Sequence, residues 1–546
     1  MKARPIAAIV TAVSMTLAGC AGRPPAPLPA ARALPVAQPP AAGAVLEGAL
    51  AILDRLDEYA EDEAYRQVSE RLAEWRRVQP VEAAVRPGGT NGVERLVAGL
   101  PERLRAPAAS RDAADELRHL RDCCWLAGVA RQGRDRAAAG EPLAVATELF
   151  RWTVRSLAIV ADPPAVPTAA APGSRWLMPG EILLAGRASA SQRAWIFLEL
   201  LRQAGIDGVM LATGVDGSLR PWLPAAIIDG EAYLFEPAYG MPVSGSGGNG
   251  IATARQAAAE ASVLGALSLP DRPYPLQAAD VGHLVPLVAA DPSVLEGRGA
   301  DMQAALDRLH GPRVTVDAAA LLARACRAIP GSGEDRGGLW EFPFETVARR
   351  REDPARVRPA LQAELAPLNI PTLPAVAARY AARSRRGTEE DGQGSAFDVE
   401  ERAEAPRFLR PLFAGRVREF RGDVAGAREA YMASRPSARE IAEAVASAPP
   451  EARDGLTRTL ERMREDAGYW LGIVSVAAGE DRSAVDFLER VTLGEHPQGR
   501  WTDAARVNLA GPLVALGRIE EAARLLRTDE SPQRFGSRLR ADALRP

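Results

Sequence analysis

The sequence predicts a mostly α-helical protein with a small α+β core in the middle and a C-terminal segment of α-helical repeats, an α-solenoid. Three observations lead to this prediction. The chain is rich in alanine, leucine and arginine, which favour helices, and only 5% of its residues are aromatic. The stretch 181–242 reads as an apolar helix, a strand and a hairpin. In residues 406–546, small residues recur at a fixed spacing within helical patterns.

Residues 1–20 predict a lipoprotein signal peptide. Two basic residues precede an apolar run from Ile6 to Leu17, which is shorter than a membrane span needs. The run ends in Leu-Ala-Gly-Cys, which resembles a bacterial lipobox, and this resemblance implies cleavage before Cys20 and acylation of that cysteine. Several acyl chains on one residue suffice for stable anchoring. A plain secretory peptide with a chance cysteine is the alternative.

This anchor would place the chain in the bacterial cell envelope, outside the cytoplasm, with the membrane as a partner through Cys20. Ala21 rather than aspartate follows Cys20, and by resemblance to enteric lipoprotein sorting this favours an outer membrane facing the periplasm over the inner membrane. Residues 21–44 are rich in proline and alanine and predict an extended linker. The net charge of −3 provides no basic field, which excludes nucleic acid as a partner.

The remaining cysteines, Cys123, Cys124 and Cys326, allow either one disulfide with a spare thiol or three buried thiols. Adjacent cysteines such as Cys123 and Cys124 rarely bridge each other without strain. The four histidines are scattered along the chain, and no spacing predicts a metal site. We therefore expect neither a metal nor a cofactor.

Residues 45–160 predict a helical region. Apolar residues at helical spacing predict two helices over 45–80 and two more over 111–130 and 142–160. The glycine-rich run PGGTNG at 87–92 interrupts this pattern.

Residues 161–260 predict the α+β core. Apolar periodicity predicts a helix over 190–204 that ends at Gly205, and a short strand follows at 209–211. A hairpin is expected next, because Asp229-Gly230 separates two apolar runs.

Two further segments separate this core from the repeats. Residues 261–382 predict a helical extension punctuated by proline. Residues 383–405 are charged and glycine-rich and predict a flexible surface loop.

The stretch from Gly186 to Pro242 resembles the transglutaminase-like, papain-like superfamily. Its most specific part, RAWIFLELLRQAGIDGVML, is similar to the family's nucleophile helix and the following strand. The resemblance implies a cysteine at the start of the helix, a histidine at the start of the next strand and an acid on the third strand. The matching positions here are Ala190, Pro221 within Arg-Pro-Trp, and Glu236.

Acyl transfer at such a site needs a thiolate, a base that forms it and an acid that orients the base. Ala190 and Pro221 supply neither of the first two groups, so we expect a catalytically silent domain. Glu236 is expected to form a structural ion pair with an arginine such as Arg193 or Arg220.

The alternative is an extracytoplasmic hydrolase or acyl-transferase with a non-standard active site. It would need His119 or His283 to fold back onto Ser189 or Ser191, the serines that flank Ala190.

Residues 406–546 repeat the pattern G-x6-G-x4-A. This pattern resembles tetratricopeptide repeats, in which small residues allow two antiparallel helices to approach closely. The resemblance implies a groove for a protein or peptide partner, and the whole chain then reads as a lipid-anchored interaction or scaffold protein. The repeat positions are Gly415, Gly422, Ala427, Gly472, Gly479, Ala484, Ala510, Gly517 and Ala522.

Overall fold

A computed structural model confirms a mostly helical chain with a small mixed sheet. The described residues from Ala42 onwards belong to one compact unit. The signal peptide with Cys20, the linker up to residue 41 and the loop 383–405 lie outside the described residues. The structure describes residues 42–78, 89–109, 113–137, 140–162, 176–214, 219–295, 297–333, 336–371, 373 and 410–544.

The N-terminal helices follow the apolar periodicity of the sequence. Helix α1 begins at Ala42, within the range assigned to the linker, and α3 begins at Gly89, inside the glycine-rich run that was predicted to interrupt the helices. The helices of this part are α1 Ala42–Asp54, α2 Glu61–Val78, α3 Gly89–Ala98, α4 Glu102–Ala109, α5 Ala113–Arg136 and α6 Pro142–Ser156.

The α+β core places helix α8 against an antiparallel sheet that gains one parallel edge strand. The strand order is β6-β5-β4-β3-β7-β8, and β7 and β8 are the parallel pair. A separate parallel pair, β1 and β2, lies before α8. The elements are β1 Ala158–Ile159, α7 Pro179–Ala185, β2 Arg187–Ala188, α8 Ala190–Ala204, β3 Asp207–Thr213, β4 Arg220–Ile228, β5 Glu231–Glu236 and β6 Met241–Pro242.

Local sequence signals set the ends of α8 and of the hairpin. Ser189 caps the first turn of α8, and Gly205 ends it in the left-handed conformation with φ 77°. Asp229 and Gly230 also have positive φ, at 51° and 78°, and connect β4 to β5 in a two-residue turn. The helix, the strand and the hairpin predicted for this stretch are therefore confirmed.

The sheet extends beyond residue 260, which corrects the helical prediction for 261–382. Strand β7 pairs with β3 in the sheet interior, and its burial on both faces explains its unbroken apolar sequence VPLV. Helix α9, Ala254–Ala259, lies just before this range. The elements within the range are α10 Ala261–Gly265, β7 Val285–Val288, α11 Gly297–Arg308, α12 Ala318–Ala328, β8 Gly338–Leu339, α13 Glu341–Glu352 and α14 Pro354–Leu365.

The C-terminal part consists of helical hairpins. Three pairs of helices have the same construction: α15 with α16, α18 with α19 and its π-helical continuation Asp486–Gly494, and α20 with α21. The α-helices are α15 Pro411–Arg421, α16 Val424–Ala433, α17 Ala438–Ala446, α18 Arg453–Ala478, α19 Asp481–Val485, α20 Thr502–Ala515, α21 Ile519–Arg527 and α22 Arg534–Ala543.

The repeated small residues have two different structural roles. Those on the helices allow close approach: a Cβ on Gly415 would lie 2.3 Å from the Tyr431 ring, and one on Gly472 would lie 2.5 Å from Leu488. Ala427, Ala484, Ala510 and Ala522 are buried in the same contacts. The middle glycines differ from the prediction, because they end the first helix with positive φ rather than pack between helices. These glycines are Gly422, Gly479 and Gly517.

The first helix of each hairpin faces the rest of the chain. Arg416 on α15 is fully buried, donates to the Leu183 carbonyl at 2.7 Å and lies 3.6 Å from the centre of the Trp470 ring. Trp470 on α18 packs directly on Gly186, and Asn508 on α20 donates to the Arg155 carbonyl. The inner side of the hairpins is therefore occupied by the α+β core.

Three cysteines are buried free thiols: Cys123, Cys124 and Cys326. Of the two arrangements that the sequence allowed, the structure therefore shows the one with three buried thiols. Within the described ranges, no helix combines the length and the apolarity that crossing a bilayer requires.

Candidate functional site

The position of the expected nucleophile is the first residue of α8. Ala190 occupies it, and the hydroxyl of Ser189 is fully buried and accepts from the Gln192 N–H at 3.2 Å. The Gln192 side chain accepts in return from the Ser189 N–H at 3.0 Å, which completes a capping box. The Ser189 side chain therefore serves as the N-cap of α8. Ser191 is half-buried, and its N–H points to the Asp162 carboxylate at 3.5 Å.

The position expected to hold the catalytic acid is occupied by a buried carboxylate that bonds to a tyrosine. Glu236 is 5% exposed and accepts from the Tyr274 hydroxyl at 2.6 Å and from the Ala238 N–H at 3.0 Å. The Trp222 indole, next to Pro221, donates to the Tyr274 oxygen at 3.0 Å. Burial raises the pKa of Glu236, although its hydrogen bonds act in the opposite direction. The carboxylate is therefore linked to the Tyr274 phenol and, through it, to the Trp222 indole.

The prediction of an ion pair between Glu236 and an arginine is wrong. Arg193 is buried but donates to neutral oxygens: the Leu157 carbonyl at 2.6 and 2.8 Å, the Pro237 carbonyl at 3.1 Å and the Gln533 side chain at 2.6 Å. None of these partners is a carboxylate, and burial of the guanidinium lowers the pKa of Arg193 to about 9. Arg220 is exposed at the start of β4. Arg193 therefore links α8 to backbone carbonyls and to the C-terminal segment instead of to Glu236.

The histidines do not approach the start of α8. His119 bonds to the Val314 carbonyl at 2.8 Å, and its ring lies 3.6 Å from the Cys123 sulfur. His283 is exposed and lies against Gly331. Neither ring lies within hydrogen-bond reach of Ser189 or Ser191 in the described contacts. Within the described residues, no group of three histidine, cysteine or acidic side chains could hold a metal ion.

A cavity of about 1020 Å³ opens at the first turn of α8, beside Ser191 and Pro221. We call it the α8 cleft. Its floor is apolar, and Phe342 stacks on Trp340 there with ring centres 5.3 Å apart. An apolar floor with polar groups at the mouth is typical of ligand sites. Other buried floor residues are Leu100, Trp176, Val285, Leu287 and Leu339.

The mouth of the α8 cleft carries charges of both signs. Glu345 is shared by Arg103 and by Arg349, whose Nε lies 2.8 Å from the carboxylate. The remaining charged residues at the mouth are Arg95, Arg336, Asp162 and Glu341.

A second cavity of about 410 Å³ lies beside His119. Its charged walls are paired internally: Arg350 bonds to Glu181 at 2.7 Å, and Arg121 bonds to Asp122 at 2.6 Å. It therefore offers fewer free groups to a ligand than the α8 cleft.

Sequence reasoning found Ala190, Pro221 and Glu236 but missed Tyr274 and the aromatic floor. Tyr274 lies 38 residues after Glu236 in a proline-rich stretch, and no sequence signal connects the two. The run Trp340-Glu-Phe-Pro-Phe is an available signal, because three aromatic residues within five positions indicate a segment that packs on another part of the chain. Comparison with protein-family models, curated proteins and solved structures found no match.

Proposed function

We propose that this chain is a lipid-anchored protein of the bacterial cell envelope that acts as an interaction or scaffold module. In this proposal, residues 161–260 form a catalytically silent transglutaminase-like domain whose cleft binds without turnover, and residues 406–546 form tetratricopeptide-like repeats.

The observation that carries the proposal is the state of the three catalytic positions. Ala190 presents a methyl group at the start of α8, Pro221 replaces a base, and Glu236 is bonded to Tyr274. The α8 cleft, which Pro221 and Ser191 line, is nevertheless open. A cleft that keeps its volume without a nucleophile is suited to binding rather than to acyl transfer.

The test is labelling of the folded protein with serine-directed and thiol-directed activity probes. We expect no stoichiometric labelling, because no described histidine lies within hydrogen-bond reach of Ser191 and the described thiols are buried. Ser191→Ala and Cys123→Ala serve as matched variants. Stoichiometric labelling that either variant abolishes would show that the protein is an enzyme.

The alternative, a hydrolase or acyl-transferase, is favoured by the contact between Cys123 and His119 at 3.6 Å. Three features count against this pair. Cys123 is 2% exposed, burial raises the pKa of its thiol, and His119 Nε2 is already bonded to the Val314 carbonyl. A thiol of raised pKa without access to substrate is a poor nucleophile.

The lipid anchor is tested by Cys20→Ser. The variant is expected to leave the membrane fraction and to appear in the extracytoplasmic fluid. Ala21→Asp keeps the cysteine and is expected to stay in membranes. Full membrane retention of Cys20→Ser would contradict acylation at this site.

A protein partner of the repeats would bind their outer side, because the inner side packs on the α+β core. Val514, Leu516 and Ile519 are exposed apolar residues around the turn from α20 to α21, which supports this placement. A photo-crosslinker at Leu516 is expected to capture one defined protein, whereas the same group at Arg439, an exposed position on α17, should not. Equal capture at both positions would contradict the placement.

A further inference from the structure

We infer that the α8 cleft takes an amphipathic anion: a molecule with an apolar body and a terminal carboxylate, whose carboxylate meets Arg95 and Arg336. The inference rests on the proposed binding role of the cleft and adds the chemical class of its ligand.

The charges at the mouth of the α8 cleft favour an anionic ligand over a cationic one, because the three acidic side chains there are already stabilised by groups of the protein. Glu345 is held by two arginines. Asp162 faces the Ser191 N–H in the first turn of α8, and Glu341 lies in the first turn of α13. A carboxylate at a helix N-terminus is stabilised by the backbone N–H groups and the helix dipole.

The two remaining arginines have no acidic partner among the residues that the structure describes. Among the described residues, no carboxylate lies within ion-pair distance of Arg95 or Arg336. Arg95 lies in the last turn of α3 and is exposed, and Arg336 is half-buried just before β8. Both line the α8 cleft, and a guanidinium group is a strong donor to a ligand carboxylate.

The apolar floor of the α8 cleft favours a ligand with an apolar body. Phe342 is half-buried above Trp340 and Trp176, with ring centres 5.3 and 6.5 Å away, so part of its ring is available to a ligand. Leu219 is half-buried on the β4 side of the cleft. Covering such carbon surface stabilises a complex through the hydrophobic effect.

Two natural sources share this chemistry: a fatty acid and a peptide that ends in an apolar residue. The probes are therefore dodecanoate and a tripeptide ending in Leu-Phe with a free carboxylate. Their controls are dodecyltrimethylammonium and the amide of the same tripeptide. Binding is measured by calorimetry on the full chain carrying Cys20→Ser, so that no attached acyl chain competes for the cleft.

We expect at least one carboxylate probe to bind and its control to bind at least about tenfold more weakly. The double variant Arg95→Gln with Arg336→Gln should lose about tenfold or more in affinity. Arg66→Gln with Arg439→Gln removes two charges from exposed helix surfaces and should bind like the parent. Leu219→Trp should block binding by filling the cleft.

The inference is overturned if no carboxylate probe binds, if the cationic or amide control binds equally well, or if the Arg95 and Arg336 double variant keeps its affinity while it melts like the parent. These outcomes are separate from the labelling experiment, which decides whether the cleft is catalytic. A cleft that is silent but does not select carboxylates would leave the proposed function standing and refute this inference.

Discussion

Substituting Gly415 with alanine should destabilise the protein although alanine is the better helix former. The added Cβ would lie 2.3 Å from the Tyr431 ring, whereas ordinary carbon contacts are about 3.5–4.0 Å, so the ring must retreat by more than about 1 Å. Tyr431 is fully buried, and its hydroxyl donates to Glu419 at 2.7 Å, so movement also strains this bond.

The size of this effect follows from three contributions. Overpacking a core costs about 1–3 kcal/mol, and a weakened hydrogen bond to a carboxylate costs up to about 1.5–3 kcal/mol. The helix gains about 1 kcal/mol when glycine becomes alanine. These contributions together predict a net loss of about 1.5–5 kcal/mol in the free energy of unfolding, measured as a lower midpoint in urea.

Gly455 provides the matched control. It lies in the first turn of α18, is exposed, and has no atom within 4 Å of a built Cβ. Gly455→Ala should therefore be neutral or stabilising by up to about 1 kcal/mol. If Gly415→Ala unfolds at the same urea concentration as Gly455→Ala, helices α15 and α16 do not approach each other as closely as described.

Two further predictions concern packing and pH. Ala484→Trp or Ala522→Trp should cost about 1–3 kcal/mol or more, because both alanines are fully buried between helices; a parent-like melting temperature for either would contradict this packing. Glu236→Gln retains an acceptor for Tyr274 and cannot ionise. Because burial raises the pKa of Glu236, the stability of the parent relative to this variant should be greatest below the unfolded pKa of about 4.5 and fall as pH rises through the folded value. Urea midpoints of both proteins between about pH 4 and about pH 8 test this, and a pH-independent difference would show that the pKa of Glu236 is unchanged by folding.

Predictions from local sequence were confirmed where the conformation is determined by residues that are neighbours in the chain. Gly205 ends α8 because it adopts positive φ, and Asp229-Gly230 makes the hairpin turn for the same reason. Strand β7 escaped prediction because a short apolar run has no periodicity that separates a buried strand from a helix. The failures at the site have another cause. The partners of Glu236 and Arg193 lie far along the chain, and only tertiary packing brings Tyr274 and Gln533 to them.

The bond between Arg193 and Gln533 also bears on how this protein is made. The two residues are separated by 340 positions, so the guanidinium of Arg193 lacks this partner during synthesis until Gln533 has emerged. The apolar faces of α5 and α7, on which the C-terminal hairpins pack, have no cover during that time. Exposed apolar surface on a waiting segment promotes aggregation and attack by proteases. Completion of the fold is thus a late event that depends on the last helices, and a chain that terminates before Pro411 should be degraded rather than accumulate as a smaller protein.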